Sequence, residues 1–343
     1  MKPLQHDAVP YRLETVEAIR AQPDERTLAL VRYGRDLPVT DDPRVIDIGL
    51  DLLGGVSLAQ HWRSPTPVRI GQDEGLRYAC NGEVLIGSLR LEERELGDMA
   101  EAAFQAYLRM DRLLQAQGYP GCLRVWIYMG GITRGEGDDE RYRQFTLGRH
   151  RALSLKPDFE RNLPAATAIG THGEGLTIYF LAAPTAGIQI ENPRQVSAFH
   201  YPRAYGPRSP SFSRATLKRW AEGAHLYVSG TASIVGHESR HPGDPALQLE
   251  EIAHNLRELV QGALDRHPTA RSFNECRALG LKLYLRQRHL LAGLRQQLPR
   301  LFGADTPILC LEGDICRDEL LVEVEGIYTL VPRETDAAPR LVE

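Results

Sequence analysis

His237-Glu238-Ser239-Arg240-His241 spells H-E-x-x-H, the string in which two imidazoles hold zinc and the glutamate deprotonates a water. That chemistry needs both histidines on one continuous helix, so that their nitrogens converge on the metal. Here Gly236 precedes the string and Pro242-Gly243 follows it directly. A residue before proline is pushed out of the α region, and that residue is His241. No third ligand stands out. The string therefore reads as a loop after a strand, its polar side chains forming turns or lining a pocket, and no metal is expected. A second grouping gathers Arg149, in QFTLGRHR near a repeat end, with Tyr201, Arg203, Tyr205 and Arg214 of the Pro/Ser/Tyr-rich connector FHYPRAYGPRSPSFSRAT. Singly these are solvated arginines and half-buried tyrosines. Together they suit a small anionic substrate, because Arg clasps carboxylate bidentately and Tyr adds an O–H donor. A third grouping is the pair Glu323 and Glu325 in LLVEVEG, which point to one face of a strand while Val322 and Val324 point to the other. A valine face packed on helices would turn the acids toward a cleft, whereas an exposed sheet face would leave them in water; strand pattern alone leaves both open.

The elements that must position these groups can be read from periodicity. In PALQLEEIAHNLRELVQGAL the apolar positions 249, 252, 253, 256, 259, 260, 263 and 264 mark one helical face, with Asp244 as N-cap and Pro245 as first residue. HLYVSGTASIV before it reads as strand. GLKLYLR after it is another strand, RHLLAGLRQQLPRLF a second helix, and TPILCLEG and DELLVEVEGIY two closing strands. The same β-α-β-α-β-β order recurs earlier. It runs through NGEVLIGSLRL, a helix from the Asp98 cap to Gly118, CLRVWIYMGG, a helix in DDERYRQFTLGRHRAL, PAATAIG and LTIYFLAAP. An internal repeat follows, with units at 71–193 and 194–343 and residues 1–70 as a cap or degenerate unit.

Bulk properties exclude several classes. Hydrophobic content of 42% and charged content of 25% are those of a soluble globular protein. A net charge of −4 draws neither nucleic acid nor an anionic membrane, and no apolar run approaches a membrane span. No secretory leader is visible, and five cysteines without C-x-x-C suit reduced thiols, so a cytoplasmic location is expected. No Rossmann glycine fingerprint, P-loop or G-x-S-x-G elbow occurs.

DELLVEVEGIY resembles the last strand of the YjgF/RidA superfamily, a small α+β, chorismate mutase-like fold that forms trimers with sites between subunits. A tandem of such units, mixed sheets packed on helices, would build a pseudo-trimeric arrangement and its inter-unit clefts within one chain, which favours a monomer. More specifically, RYRQFTLGR, YPRAYGPRSPSFSRA, YVSGTASIVGHESRHPGD followed by Gln248, Glu250 and Asn255, and CRDELLVEVEG resemble the chorismatase family in unbroken order from 141 to 326. The resemblance implies cleavage of the enolpyruvyl ether of chorismate, with no metal or organic cofactor.

Chorismate carries two carboxylates. By position in the matching motifs, Arg149 and Arg214 are the implied clamps and Tyr201 and Tyr205 supporting donors, with Arg203 and Arg208 less favoured. The resemblance picks Glu323 as the acid that protonates the ether methylene, work suited to a carboxyl of raised pKa in apolar surroundings. Gly230 would let backbone approach the substrate ring closely. After protonation the family divides. Water takes over in one branch, giving a dihydrodiol acid and pyruvate. In the other the neighbouring ring hydroxyl displaces pyruvate and the ring rearomatises to 3-hydroxybenzoate, with 4-hydroxybenzoate a further product in some members. Cys316 resembles the second branch, and its bulk would disfavour water. A YjgF-like ligand-binding or imine-hydrolysing protein is the alternative from another class.

Overall fold

The computed structural model describes residues 10–18, 21–55, 57–221, 223–267 and 276–330. The chain opens with β1 (Arg12–Glu17), β2 (Thr27–Tyr33), β3 (Val45–Ile48), β4 (Asp51–Leu52) and β5 (Leu58–Arg63). It continues through β6 (Arg69–Asp73), β7 (Leu76–Cys80), β8 (Leu85–Leu91), α1 (Glu93–Leu96), α2 (Met99–Gln117), β9 (Gly121–Gly130), α3 (Arg141–Leu153), β10 (Ala165–Thr171) and β11 (Leu176–Ala183). The last third runs β12 (Ile188–Ile190), β13 (Ala215–Trp220), β14 (Gly223–Ala232), β15 (Ile234–Val235), β16 (Glu238–Ser239), α4 (Pro245–Arg266) and β17 (Cys276–Leu285). It closes with α5 (Leu290–Leu294), α6 (Leu298–Phe302), β18 (Ile308–Glu312) and β19 (Val322–Leu330).

Strand order in the middle sheet is β6-β7-β8-β11-β9-β10, and in the C-terminal sheet β12-β13-β14-β19-β17-β18 with β4 at its edge. The two orders match strand for strand, including one parallel pair each, β9–β10 and β17–β18. The N-terminal sheet, β1-β5-β2-β3, repeats the four-strand core of that pattern with β2–β3 parallel, and among the described residues it carries no helix between those strands. The fold is α+β, built from repeated units.

Local chemistry explains the helices. The Asp98 carboxylate accepts from the backbone N–H of Ala100 and Glu101, and Gly118 ends α2 in the left-handed region at φ 80°. Asp244 caps α4 in the same way, ahead of Pro245, and all eight apolar positions of its expected face are buried. The second helix expected over 288–302 is instead two single turns, α5 and α6. Pro299 accounts for the break, since its ring clashes with the carbonyl four residues back and it offers no N–H.

Helices lie outside and sheets inside. α2 and α3 cover one face of the middle sheet, and α4 covers the Val322/Val324 face of β19. The remaining faces of the three sheets meet in a shared aromatic core around Trp62, Trp126, Tyr128, Tyr179, Tyr227 and Tyr284. Trp126 stacks on Tyr179 with centroids 4.4 Å apart. Neighbouring units thereby form clefts along their strand edges.

Candidate active site

Between the middle and C-terminal units lies a cavity of about 280 Å³. It is lined by Glu323, Cys316, Arg149, Tyr201, Tyr205, Arg214 and Gly230, so the structure brings together residues spread over 175 positions of sequence (149 to 323). Arg203 and Arg208 stand at the surface, and Arg203 is taken up by an ion pair with Asp138.

Glu323 and Glu325 do share a face, as their spacing implies, but only one of them reaches the cavity. Glu325 is sealed in the central core, where its carboxylate accepts from Trp126 Nε1 at 2.9 Å, Lys282 Nζ at 2.9 Å, Tyr284 OH at 3.0 Å and the Arg124 guanidinium. Burial works against its charge, and the ammonium of Lys282 and the guanidinium of Arg124 outweigh it, so its pKa is lowered. Burial also pulls Lys282 down, but Arg124 carries a fixed charge and holds Glu325 ionised whatever the lysine does. Glu323 makes no hydrogen bond or ion pair among the described residues, feels the Arg124 guanidinium only at longer range, and is 5% exposed. Burial first, and the adjacent charge of Glu325 second, push its carboxyl up to about 8. Two acids two residues apart are thus held in opposite protonation states, the arrangement that separates a proton donor from a fixed charge.

Gly230 serves the acid more directly than the ring. A Cβ there would lie 1.9 Å from Glu323 Oε1 and 3.1 Å from Thr167 Cγ2. The missing side chain is the space the carboxyl fills. A register shift of β14 against β19 between Val228 and Thr231 puts an extra residue at this point, a bulge beside the acid. Thr167, on β10 of the other unit, accepts from Arg124.

The cations face the cavity from both units. Arg149 projects from α3, is 1% exposed, and leaves its Nε and one terminal nitrogen without a partner. Its guanidinium lies 5.4 Å from the Phe145 ring and 6.0 Å from that of Phe212. Arg214 donates to Tyr201 OH at 2.7 Å and to the Val196 carbonyl at 2.8 Å, with its Nε unpaired. A buried guanidinium with free N–H groups is costly unless an anion completes it. Sequence reasoning missed Arg317, whose guanidinium lies 4.0 Å from the Tyr205 ring centroid and which donates to the His237 carbonyl at 2.9 Å. Its place directly after Cys316 in CRDELLVEVEG was the available signal. Arg143 and Tyr142 on α3 also line the cavity. Thr167 and Arg124 come from strands whose sequence carries no such mark. Burial, with the Glu323 charge adding to it, pushes the Cys316 thiol up to about 12, so it stands as a neutral, bulky wall.

The H-E-x-x-H string is a hairpin and not a helix. Ile234 pairs with Ser239 and Val235 with Glu238, while Gly236 and His241 take positive φ of 63° and 55°. His237 Nδ1 lies 3.1 Å from Tyr205 OH, and His241 Nε2 lies 3.6 Å from Glu251, so the two imidazoles brace different neighbours. Two buried amides on α4 hold this loop. Asn255 Nδ2 donates to the carbonyls of Ala232 and Ile234, and Gln248 Nε2 to those of His241 and Glu319. A separate cluster, Asp51, His172 and Glu312, has metal-ligand character by type, but Arg35 and Arg288 pair with its carboxylates.

Known proteins resemble this chain in sequence and in fold. A family model described as chorismatase FkbO/Hyg5-like, N-terminal, matches residues 60–182. A chorismatase of Streptomyces hygroscopicus is 34% identical over 325 residues, 93% of this chain and 94% of that protein. A 3-hydroxybenzoate synthase of the same organism is 36% identical over 277 residues, covering 78% and 81%. A crystal structure of chorismatase superimposes with a TM-score of 0.82 at 33% identity, covering 93% of this chain and 98% of its own. Agreement along nearly the whole length, in sequence and in backbone, places the chain in the chorismatase family.

Proposed function

We propose that this enzyme cleaves the enolpyruvyl ether of chorismate to pyruvate and 3-hydroxybenzoate. The observation that carries the reading is the buried Glu323 carboxyl, its pKa raised by burial, on the wall of the cavity that Arg149 also lines with N–H groups left unpaired. In this reading Arg149 and Arg214 take the two carboxylates, with Tyr201 and Tyr205 supporting them. The Glu323 proton goes to the methylene carbon, and the ether carbon becomes an oxocarbenium ion. The neighbouring ring hydroxyl then attacks the ring carbon bearing the ether oxygen, that C–O bond breaks, and pyruvate leaves. The hydroxyl proton passes to the Glu323 carboxylate, and the oxide-like intermediate opens and rearomatises. Atoms balance without water. The neutral Cys316 thiol supports this branch by occupying wall space, and a relative named 3-hydroxybenzoate synthase agrees with it.

Incubation with chorismate and identification of the ring product tests the reading: 3-hydroxybenzoate with equimolar pyruvate is expected. A dihydrodiol acid would transfer the assignment to the hydrolytic branch, and no pyruvate at all would end it. Glu323→Gln should abolish pyruvate release while leaving chorismate binding measurable by calorimetry.

The strand orders support three units of one fold near the divisions 1–70, 71–193 and 194–343, with the boundaries a few residues earlier, since β6 from Arg69 joins the middle sheet and β12 (Ile188–Ile190) the C-terminal one; such a tandem fits a monomer. Five free cysteines fit a reducing cytoplasm, and among the described residues no helix is long and apolar enough to cross a membrane.

A further inference from the structure

The repeated strand orders generate a second cleft, where β3 of the N-terminal sheet meets β7, β8 and β11 of the middle unit, with a volume of about 1210 Å³. Register relates it to the active cleft residue by residue. Tyr284 on β17 pairs with Glu323, and Tyr128, its counterpart on β9, pairs with Thr177. Thr177 therefore stands where the acid stands. Ser229 hydrogen-bonds across the ladder to Arg214, and Ser88, its counterpart on β8, pairs with Arg77. Val45, Ile46 and Asp47 on β3 take the places of Ala166, Thr167 and Ala168 on β10. Arg77, Ser88 and Thr177 all line this second cleft.

What was kept and what was lost both carry meaning. The clamp arginine is kept, the acid is a threonine, and the second clamp has no counterpart because no helix equivalent to α3 lies between β2 and β3. Of the acids lining the cleft, Asp47 and Glu93 are engaged bidentately by Arg32 at 2.7 and 2.8 Å and by Arg141 at 2.6 and 3.0 Å, while Glu92 pairs with Arg90 and Glu174 with Arg134. The Arg77 side chain belongs to a half-buried residue and has no hydrogen-bond or ion partner among the described residues. A guanidinium flanked by the hydroxyls of Ser88 and Thr177 is a donor set for one carboxylate.

We propose that this cleft is a second, non-reacting binding site for a small carboxylate anion, with Arg77 holding the carboxylate as Arg214 does in the active cleft. Without an acid at position 177 the site can bind such an anion and cannot protonate it, so it is suited to sensing a substrate or product of the neighbouring site.

Calorimetric titration with 3-hydroxybenzoate and, separately, with pyruvate tests this on the full chain. The wild type should show two sites for at least one probe. Arg77→Ala should weaken one of them by about tenfold or more while pyruvate release from chorismate stays within about twofold. Arg214→Ala should remove the other. Thr177→Glu, which aims a negative charge into the cleft from a half-buried position, should remove the Arg77-dependent site and serves if Arg77→Ala folds poorly. Dependence for one probe and not the other identifies the ring acid or the keto acid as the ligand. A single site for both probes, untouched by changes at 77 and 177, overturns the proposal. If chorismate is not turned over but Arg77-dependent binding appears, the proposed reaction falls and this site stands.

Discussion

At the scale of single residues, the proposed reaction rests on keeping one proton on Glu323. Its carboxyl titrates near 8 in the folded chain against an ordinary 4.5. The free enzyme should therefore lose kcat/KM above about pH 8 as one proton leaves. The same shift bears on stability. Between 4.5 and 8 the folded chain binds one more proton than the unfolded chain, so stability falls as pH rises through that window and levels off above it. Glu323→Gln should flatten that part of a Tm-against-pH curve; an unchanged slope would mean that the group titrates normally. Gly230→Ala should displace the acid, since the new methyl would overlap Oε1, and a displacement on the order of 1 Å costs about a hundredfold in kcat. Near-native turnover in that variant would show that the carboxyl does not act from its observed position. Arg149→Met separates binding from folding. It removes a buried charge with free N–H groups, so Tm should hold or rise, while kcat/KM for chorismate drops roughly 10- to 100-fold for a lost charge-assisted contact. A large fall in Tm would assign Arg149 a structural role instead.

At the scale of elements, α4 does two jobs with two faces. Its apolar positions bury against β14 and β19, which puts the valines inside and turns Glu323 toward the cavity. Its polar Gln248 and Asn255, both buried, tie the 232–241 hairpin and the 319–321 segment to the same frame. Asn255→Leu removes the amide that donates to the Ala232 and Ile234 carbonyls, leaving Ile234 to Gln195 Nε2, and should cost about 1–3 kcal/mol in denaturant unfolding, with a rise in KM as Ile234, Tyr205 and Arg317 lose part of their support. A neutral result in both measurements would remove Asn255 from that role. The helix itself was readable, because Asp244-Pro245 and an unbroken apolar stripe agree with one another. The 288–302 segment was not, because apolar spacing outvoted a single Pro299 whose steric effect is local.

At the scale of the whole molecule, Glu325 is the joint. It sits on β19 of the C-terminal unit and binds Arg124 and Trp126 on β9 of the middle unit, so the two units that form the candidate active cleft share a buried ion pair. Glu325→Gln leaves Arg124 and Lys282 uncompensated and should cost about 3–5 kcal/mol of stability. It also removes a charge that raises Glu323, so the alkaline limb of kcat/KM should move to lower pH. A limb that stays at pH 8 in a folded Glu325→Gln enzyme would show that burial alone sets the acid.

Strand and helix periodicity, capping residues and the spacing of Glu323 and Glu325 are local properties, so the chain's repeat and the face the two acids share could be read from the amino acids in order, while strand pattern left open whether that face meets a cleft or water. The partition of the two glutamates could not. Which carboxyl is neutral depends on Arg124, Lys282, Trp126 and Thr167, strands brought over from two units, and electrostatic energy follows distance in space and not along the chain. The second cleft was hidden for the same reason. Arg77 and Arg214 have no shared motif around them, and they become equivalents once the ladders set their partners across the sheet.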